Sequence, residues 1–134
     1  MKTILLTLIL TLLFGSAVLA NGQKTDAPLQ VRVGKQKKFS RSKVSVKFVS
    51  LVEDSRCPEG VNCVWAGNAR ITVQITEPGG AGEIFDMNTN LGAKGATFAG
   101  YAVNLTSLTP TPKENVRINK NGYTATFSIV RMTR

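Results

Sequence analysis

From Trp65 to Thr76 the side chains alternate, most regularly from Gly67 onward. Trp65, Gly67, Ala69, Ile71, Val73 and Ile75 fall on one side, and Asn68, Arg70, Thr72, Gln74 and Thr76 on the other. A repeat of two residues marks a strand with one buried face, because only an extended backbone turns successive Cβ atoms to opposite sides. Shorter versions of the pattern recur along the chain. Leu29-Gln30-Val31-Arg32-Val33 is one; Val44, Val46 and Phe48 against Ser45 and Lys47 begin another that runs towards Glu53. Further strands are expected near Ile84 to Met87, at Tyr101, Val103 and Leu105, near Val116 to Ile118, and from Tyr123 with Tyr123, Ala125, Phe127 and Ile129 inward. No apolar stripe of helical period extends over ten or more residues beyond position 20, and the periodic runs are rich in β-branched residues. The fold class is therefore all-β: a single antiparallel β-sandwich of about seven strands, with a small closed β-barrel as the alternative.

Breakers separate these runs. Gly34 ends the first strand, and the basic stretch from there to Ser42 reads as a loop or a weak edge. Glu77-Pro78-Gly79-Gly80-Ala81-Gly82 reads as a hairpin connection, Asn88 to Gly95 as a loop, and Leu108-Thr109-Pro110-Thr111-Pro112 as an extended crossover. Asn119-Lys120-Asn121-Gly122 can supply a turn with positive φ.

The N-terminus predicts the compartment. Lys2 precedes an apolar stretch from Ile4 to Phe14, and Val18-Leu19-Ala20 supplies the small residues of a cleavage site, so a signal peptide over 1–20, cut after Ala20, is expected. The stretch is shorter than the roughly 20 residues of a membrane span, so no transmembrane segment is expected after cleavage. A polar leader over 21–27 then precedes one β domain over 28–134, with room for a single hydrophobic core. The expected location is secreted or periplasmic. In that oxidising setting the chain's two cysteines, Cys57 and Cys63, are expected to form a disulfide. Its short loop contributes only about 2 kcal/mol through chain entropy.

The chemistry available is narrow. The sequence contains no histidine, which removes histidine-dependent nucleophiles and histidine-ligated metals. A thioredoxin-like role for the cysteines is disfavoured by their spacing, since five residues separate them instead of two. No metal, cofactor or catalytic residue is expected. A carboxylate pair, drawn from Glu53, Asp54, Glu59, Glu83 and Asp86, is the one enzymatic route open, as in a glycan hydrolase. Glu53 and Asp54, being adjacent on a strand, would face opposite ways. Calcium binding by Asp54, Glu59 and Asn62 lacks any recognised loop spacing.

The formal charge is +9, and much of it is local: Arg32, Lys35, Lys37, Lys38, Arg41, Lys43 and Lys47 lie within sixteen residues. Such a patch could meet a polyanion, or could simply protect an edge strand and keep the protein soluble. Phe39 is its only aromatic residue, which argues against nucleic acid as the partner.

The most distinctive segment is Glu53-Asp54-Ser55-Arg56-Cys57-Pro58-Glu59-Gly60-Val61-Asn62-Cys63-Val64-Trp65-Ala66-Gly67. Together with Gly100-Tyr101-Ala102-Val103-Asn104-Leu105, Leu108, Pro110, Pro112 and the closing tyrosine strand, it resembles a group of small exported bacterial proteins of unknown function. The resemblance implies an exported origin and a shared fold, and no activity. Physically, Asp54 is expected to pair with Arg56 and to accept loop amides, and Trp65 to bury its ring beside the bridge with Gly67 making room. The functional alternative is a pinned loop presenting Arg56, Glu59 and Asn62, with Asp54 and Trp65, to a partner. A non-enzymatic binding or accessory module of the envelope or extracellular space is thus expected. Its partner would be a protein or a polyanion; alternatives are a protease-inhibitor-like use of the disulfide loop and polyanion binding through 32–47.

Overall fold

The computed structural model describes residues 25–133; the expected signal segment and its cleavage position, with the first residues of the leader, lie outside the described residues. Eight strands follow in order: β1 Leu29–Arg32, β2 Gln36–Lys38, β3 Ser45–Asp54, β4 Ala69–Thr76, β5 Glu83–Asn88, β6 Gly95–Phe98, β7 Tyr101–Thr109 and β8 Thr124–Arg131. They form two antiparallel four-stranded sheets, ordered β1-β8-β7-β6 and β2-β3-β4-β5. Neighbours in sequence are neighbours in space, as in an up-and-down winding. The ladder is interrupted between β1 and β2 and between β5 and β6, so the two sheets pack as a sandwich and do not close into a barrel.

The burial pattern follows the alternation. In β4, Ala69, Ile71, Val73 and Ile75 are fully buried while Arg70, Thr72, Gln74 and Thr76 are half-buried on the outer face. Facing them across the sandwich, β8 buries Ala125, Phe127 and Ile129, and Tyr123 just before it is buried as well. Phe39, Phe48, Val31 and Val103 complete the same core.

Two local expectations differ from the structure. The strand expected at Val116 to Ile118 does not form; Val116 only folds back on Lys113 in a turn, and Ile118 packs against the core. No ladder is open to such a strand there, because β8 is already paired on both sides, with β1 and β7. Conversely, β6 forms within a stretch too short to show a period. It is held by pairing with β7 across a two-residue turn, Ala99-Gly100, with both residues at positive φ. The weak basic edge is β2, a fully exposed strand of three residues.

The registers Asp54↔Ala69 and Thr109↔Thr124 place the long connections 55–68 and 110–123 at one end of the sandwich, where β5 also leaves through 89–94. The hairpin turns 77–82 and 99–100 lie at the opposite end.

Candidate functional site

The site begins with an inward-facing carboxylate. β3 carries two irregularities, between Phe48 and Ser50 and between Leu51 and Glu53, which expose Val49 and Val52 as extra residues. The two insertions cancel in parity, so Glu53 faces out towards Arg70 and Asp54 faces in at the end of the core.

Asp54 is the centre of a latch. Its Oδ1 accepts from Arg56 Nε at 2.8 Å and from the Arg56 backbone amide at 3.2 Å. Its Oδ2 accepts from Arg56 Nη2 at 2.7 Å and from the Tyr123 hydroxyl at 3.0 Å. The guanidinium also donates to the carbonyls of Leu108 at 2.6 Å and Pro110 at 2.8 Å. One arginine thus ties the disulfide connection to the β7–β8 crossover. Only 12% of the Arg56 side chain and 8% of the Asp54 side chain are exposed. Burial pulls the Asp54 pKa up, but the hydrogen bonds and charge of Arg56 outweigh it, with help from Tyr123, and hold it below the usual carboxylate value. The Tyr123 phenol is pushed up, first by burial and then by the Asp54 carboxylate it donates to.

Further bonds fix the rest of this end. Cys57 and Cys63 are bridged, with Cα atoms 6.0 Å apart. The Cys57 amide donates to Ala66, and the Glu59 amide to Pro112 at 2.8 Å. Gly67 has φ +71°, and a Cβ there would collide with the Ser55 carbonyl. Asn68 is buried; its Nδ2 donates to Asn88, and its Oδ1 accepts from the backbone amides of Asn90 and Leu91, each at 3.1 Å. Asn90 returns a bond to the Gly67 carbonyl at 2.6 Å. The three connections are therefore one cross-braced unit.

On this unit stands an apolar tip. Val61 to Ala66 are six consecutive exposed residues. Val64 is fully exposed, Trp65 is 56% exposed, and Leu91, whose amide donates to Asn68, is 52% exposed. The expected burial of Trp65 beside the bridge is thus corrected. The Ser55 backbone fills the space that Gly67 leaves, and Trp65 precedes the start of β4 at Ala69.

The sequence-derived loop residues separate into two groups. Asp54 and Arg56 come together and point inward; Glu59 sits 3.7 Å from Lys113 in an exposed pair, and Asn62 and Trp65 face solvent. Sequence reasoning missed Tyr123 as a partner of Asp54 and Asn68 as a buried hub, taking the latter for an outward strand position. It also passed over Val64 and Leu91.

The other acids do not converge. Glu53 and Asp86 flank Arg70 on the outer face at 3.7 and 3.9 Å, and Asp86 accepts from Thr72. A cleft of about 330 Å³ at the opposite end is lined by Asp26, Arg41, Tyr101 and Arg131 among others. A second, of about 280 Å³, lies beside Arg56, Asn90 and Leu105 to Leu108. Neither is lined by two carboxylates, and no group of three or more cysteine or acidic side chains gathers among the described residues.

Of the basic residues, Arg32, Lys35, Lys37, Lys38, Arg41 and Lys43 are exposed and Lys47 is half-buried. Phe39 is buried, so nothing in the patch is available to stack on a base. No helix among the described residues is long and apolar enough to cross a membrane. Comparison with family models, with curated proteins and with solved structures finds no match.

Proposed function

We propose that this protein is an exported, non-enzymatic binding module that engages a partner protein through the apolar tip of its disulfide connection. The observation that carries this reading is a contrast within one loop. The polar groups that turn inward, Asp54, Arg56, Ser55 and Asn68, are spent on bracing the end of the sandwich, while Val61, Val64 and Trp65 are left in solvent with Asn62. A large aromatic side chain held out by a rigid frame is costly to expose and inexpensive to order, the combination favoured at the centre of protein interfaces. Leu91, tied through its amide to Asn68 at the same end of the sandwich, is a further exposed apolar side chain there. A non-enzymatic role is supported by the acids: those at the loop end and on the outer face are matched to Arg56, Arg70 and Lys113 instead of facing one another across a cleft.

The test is capture of partners from the producing cell's envelope and medium at high salt, with the mature protein, Trp65→Ala and Cys57→Ser/Cys63→Ser compared. A partner that survives salt and is lost from both variants, while Trp65→Ala keeps its thermal stability, supports the reading. A partner retained equally by all three proteins overturns it.

A further inference from the structure

The basic residues clustered over 32–47 in sequence lie along adjoining strands in space. β1 and β2 are edge strands of different sheets, joined by the short turn at Gly34 and lying side by side where the ladder is interrupted. Arg32 ends β1, Lys35 lies in the turn, and Lys37 and Lys38 are in β2. Lys47 of β3 stands on the outer face, opposite Gln36 and diagonal to Lys38, and Arg41 and Lys43 continue the line into the β2–β3 connection. The seven cations follow one open edge of the sandwich. Lys37, opposite inward-facing Val46, and Lys38, opposite Ser45, leave β2 on its two faces.

Among the described residues, none of the seven lies within ion-pair distance of a carboxylate; the ion pairs present involve Arg56, Arg70 and Lys113. Asp26 approaches the segment, but its oxygens accept from the backbone amides of Arg41 and Ser42 and not from a cationic side chain. The opposite edge of the same sheet has the opposite sign, with Glu83 and Asp86 on β5. Edge protection accounts for lysines on β2 itself. It extends to Arg32 on β1, also an edge strand, but not to Lys47 one strand inward or to the lack of any cation on β5.

We infer that the β1–β2 edge is a binding strip for an anionic polysaccharide chain. The linear run of unpaired cations supplies charge complementarity along an extended polymer. The strip exposes no large apolar or aromatic side chain that could enter a bilayer or stack on bases, since Val31, Phe39 and Val44 are all buried. Arg32 reaches the 110–123 connection, its Nε donating to the Asn121 carbonyl at 3.4 Å, whereas Lys38 lies level with Ser45 at the far end of β3 and Arg41 and Lys43 follow in the connection there, so the lysines of the strip can be tested separately from the disulfide tip.

The probe is immobilised heparin, a sulfated polysaccharide, with vesicles of anionic phosphatidylglycerol in parallel. The strip variant Lys35→Glu/Lys37→Glu/Lys38→Glu is compared with Lys94→Glu/Arg117→Glu/Lys120→Glu, which makes the same change in net charge at exposed sites elsewhere. The strip variant is expected to bind heparin about tenfold more weakly at moderate salt than the control triple does. Lys35→Ser/Lys37→Ser/Lys38→Ser, which adds no repulsion, should show the same order and guards against a folding defect in the glutamate variant. Equal weakening by both triples would overturn the proposal, since net charge alone would then explain binding. So would strip-dependent binding to vesicles with none to heparin, which would assign the edge to a lipid surface.

Discussion

At the scale of single residues, the Asp54–Arg56–Tyr123 latch makes the sharpest predictions. Removing the Arg56 side chain leaves a nearly buried carboxylate with only two neutral donors, the residue 56 amide and the Tyr123 hydroxyl, so Arg56→Ala should destabilise the fold by about 3 kcal/mol, measured by denaturant unfolding. Asp54 is depressed below its unfolded value near 4, so its contribution is present above about pH 4 and is lost as pH falls through the lower folded value. Tyr123 is raised, so its contribution is full below about pH 10 and is lost as pH rises through the higher folded value. Asp54→Asn should therefore lower stability at neutral pH and flatten the acid limb of a stability profile, while Tyr123→Phe should flatten the alkaline limb. At the far end of the molecule, Ala99 sits at φ +50° beside Gly100 in the β6–β7 turn, a conformation that suits asparagine better than alanine. Ala99→Asn should raise stability by up to about 1 kcal/mol, seen as a higher Tm.

At the scale of elements, the long strands were legible because each carries its own period. β4 and β8 bury the alternate residues that the pattern picks out, and β3 runs to the expected end despite two bulges. β2 and β6 were illegible as regular strands: one is three exposed polar residues and the other four residues beginning at Gly95, and both are held by their neighbours. The candidate site was half legible. The spacing of Asp54 and Arg56 suggested their pairing, and the cysteines their bridge. Tyr123 and Leu91 could not be found from the sequence, because they reach the site through tertiary packing across 69 residues and through the side chain of Asn68 respectively. Trp65 was misjudged because a tryptophan at an inward parity position ordinarily buries its ring, and here the strand starts only at Ala69. Two consequences separate bracing from tip. Cys57→Ser/Cys63→Ser should cost about 2 kcal/mol of stability, whereas Trp65→Ala should leave the Tm nearly unchanged. Trp65 is the chain's one tryptophan, so its fluorescence reports the tip alone; an aqueous quencher should reach it freely in the native state.

At the scale of the whole molecule, the sandwich keeps its two proposed contacts apart. The disulfide end presents apolar side chains on a braced frame, and the β1–β2 edge presents cations on exposed strands. A partner held by the first should resist salt, because apolar burial is little affected by screening, and one held by the second should not. Binding through the disulfide end is tested by site-directed photo-cross-linking. A photoreactive phenylalanine analogue is placed at Val64 in the tip and, separately, at Ala81 in the hairpin turn of the opposite end, and each protein is irradiated in the producing cell's envelope fraction. A discrete cross-linked partner is expected from position 64, abolished by Trp65→Ala, and none from position 81. Cross-linking from position 81 alone, or from position 64 without dependence on Trp65, would contradict binding through the disulfide end.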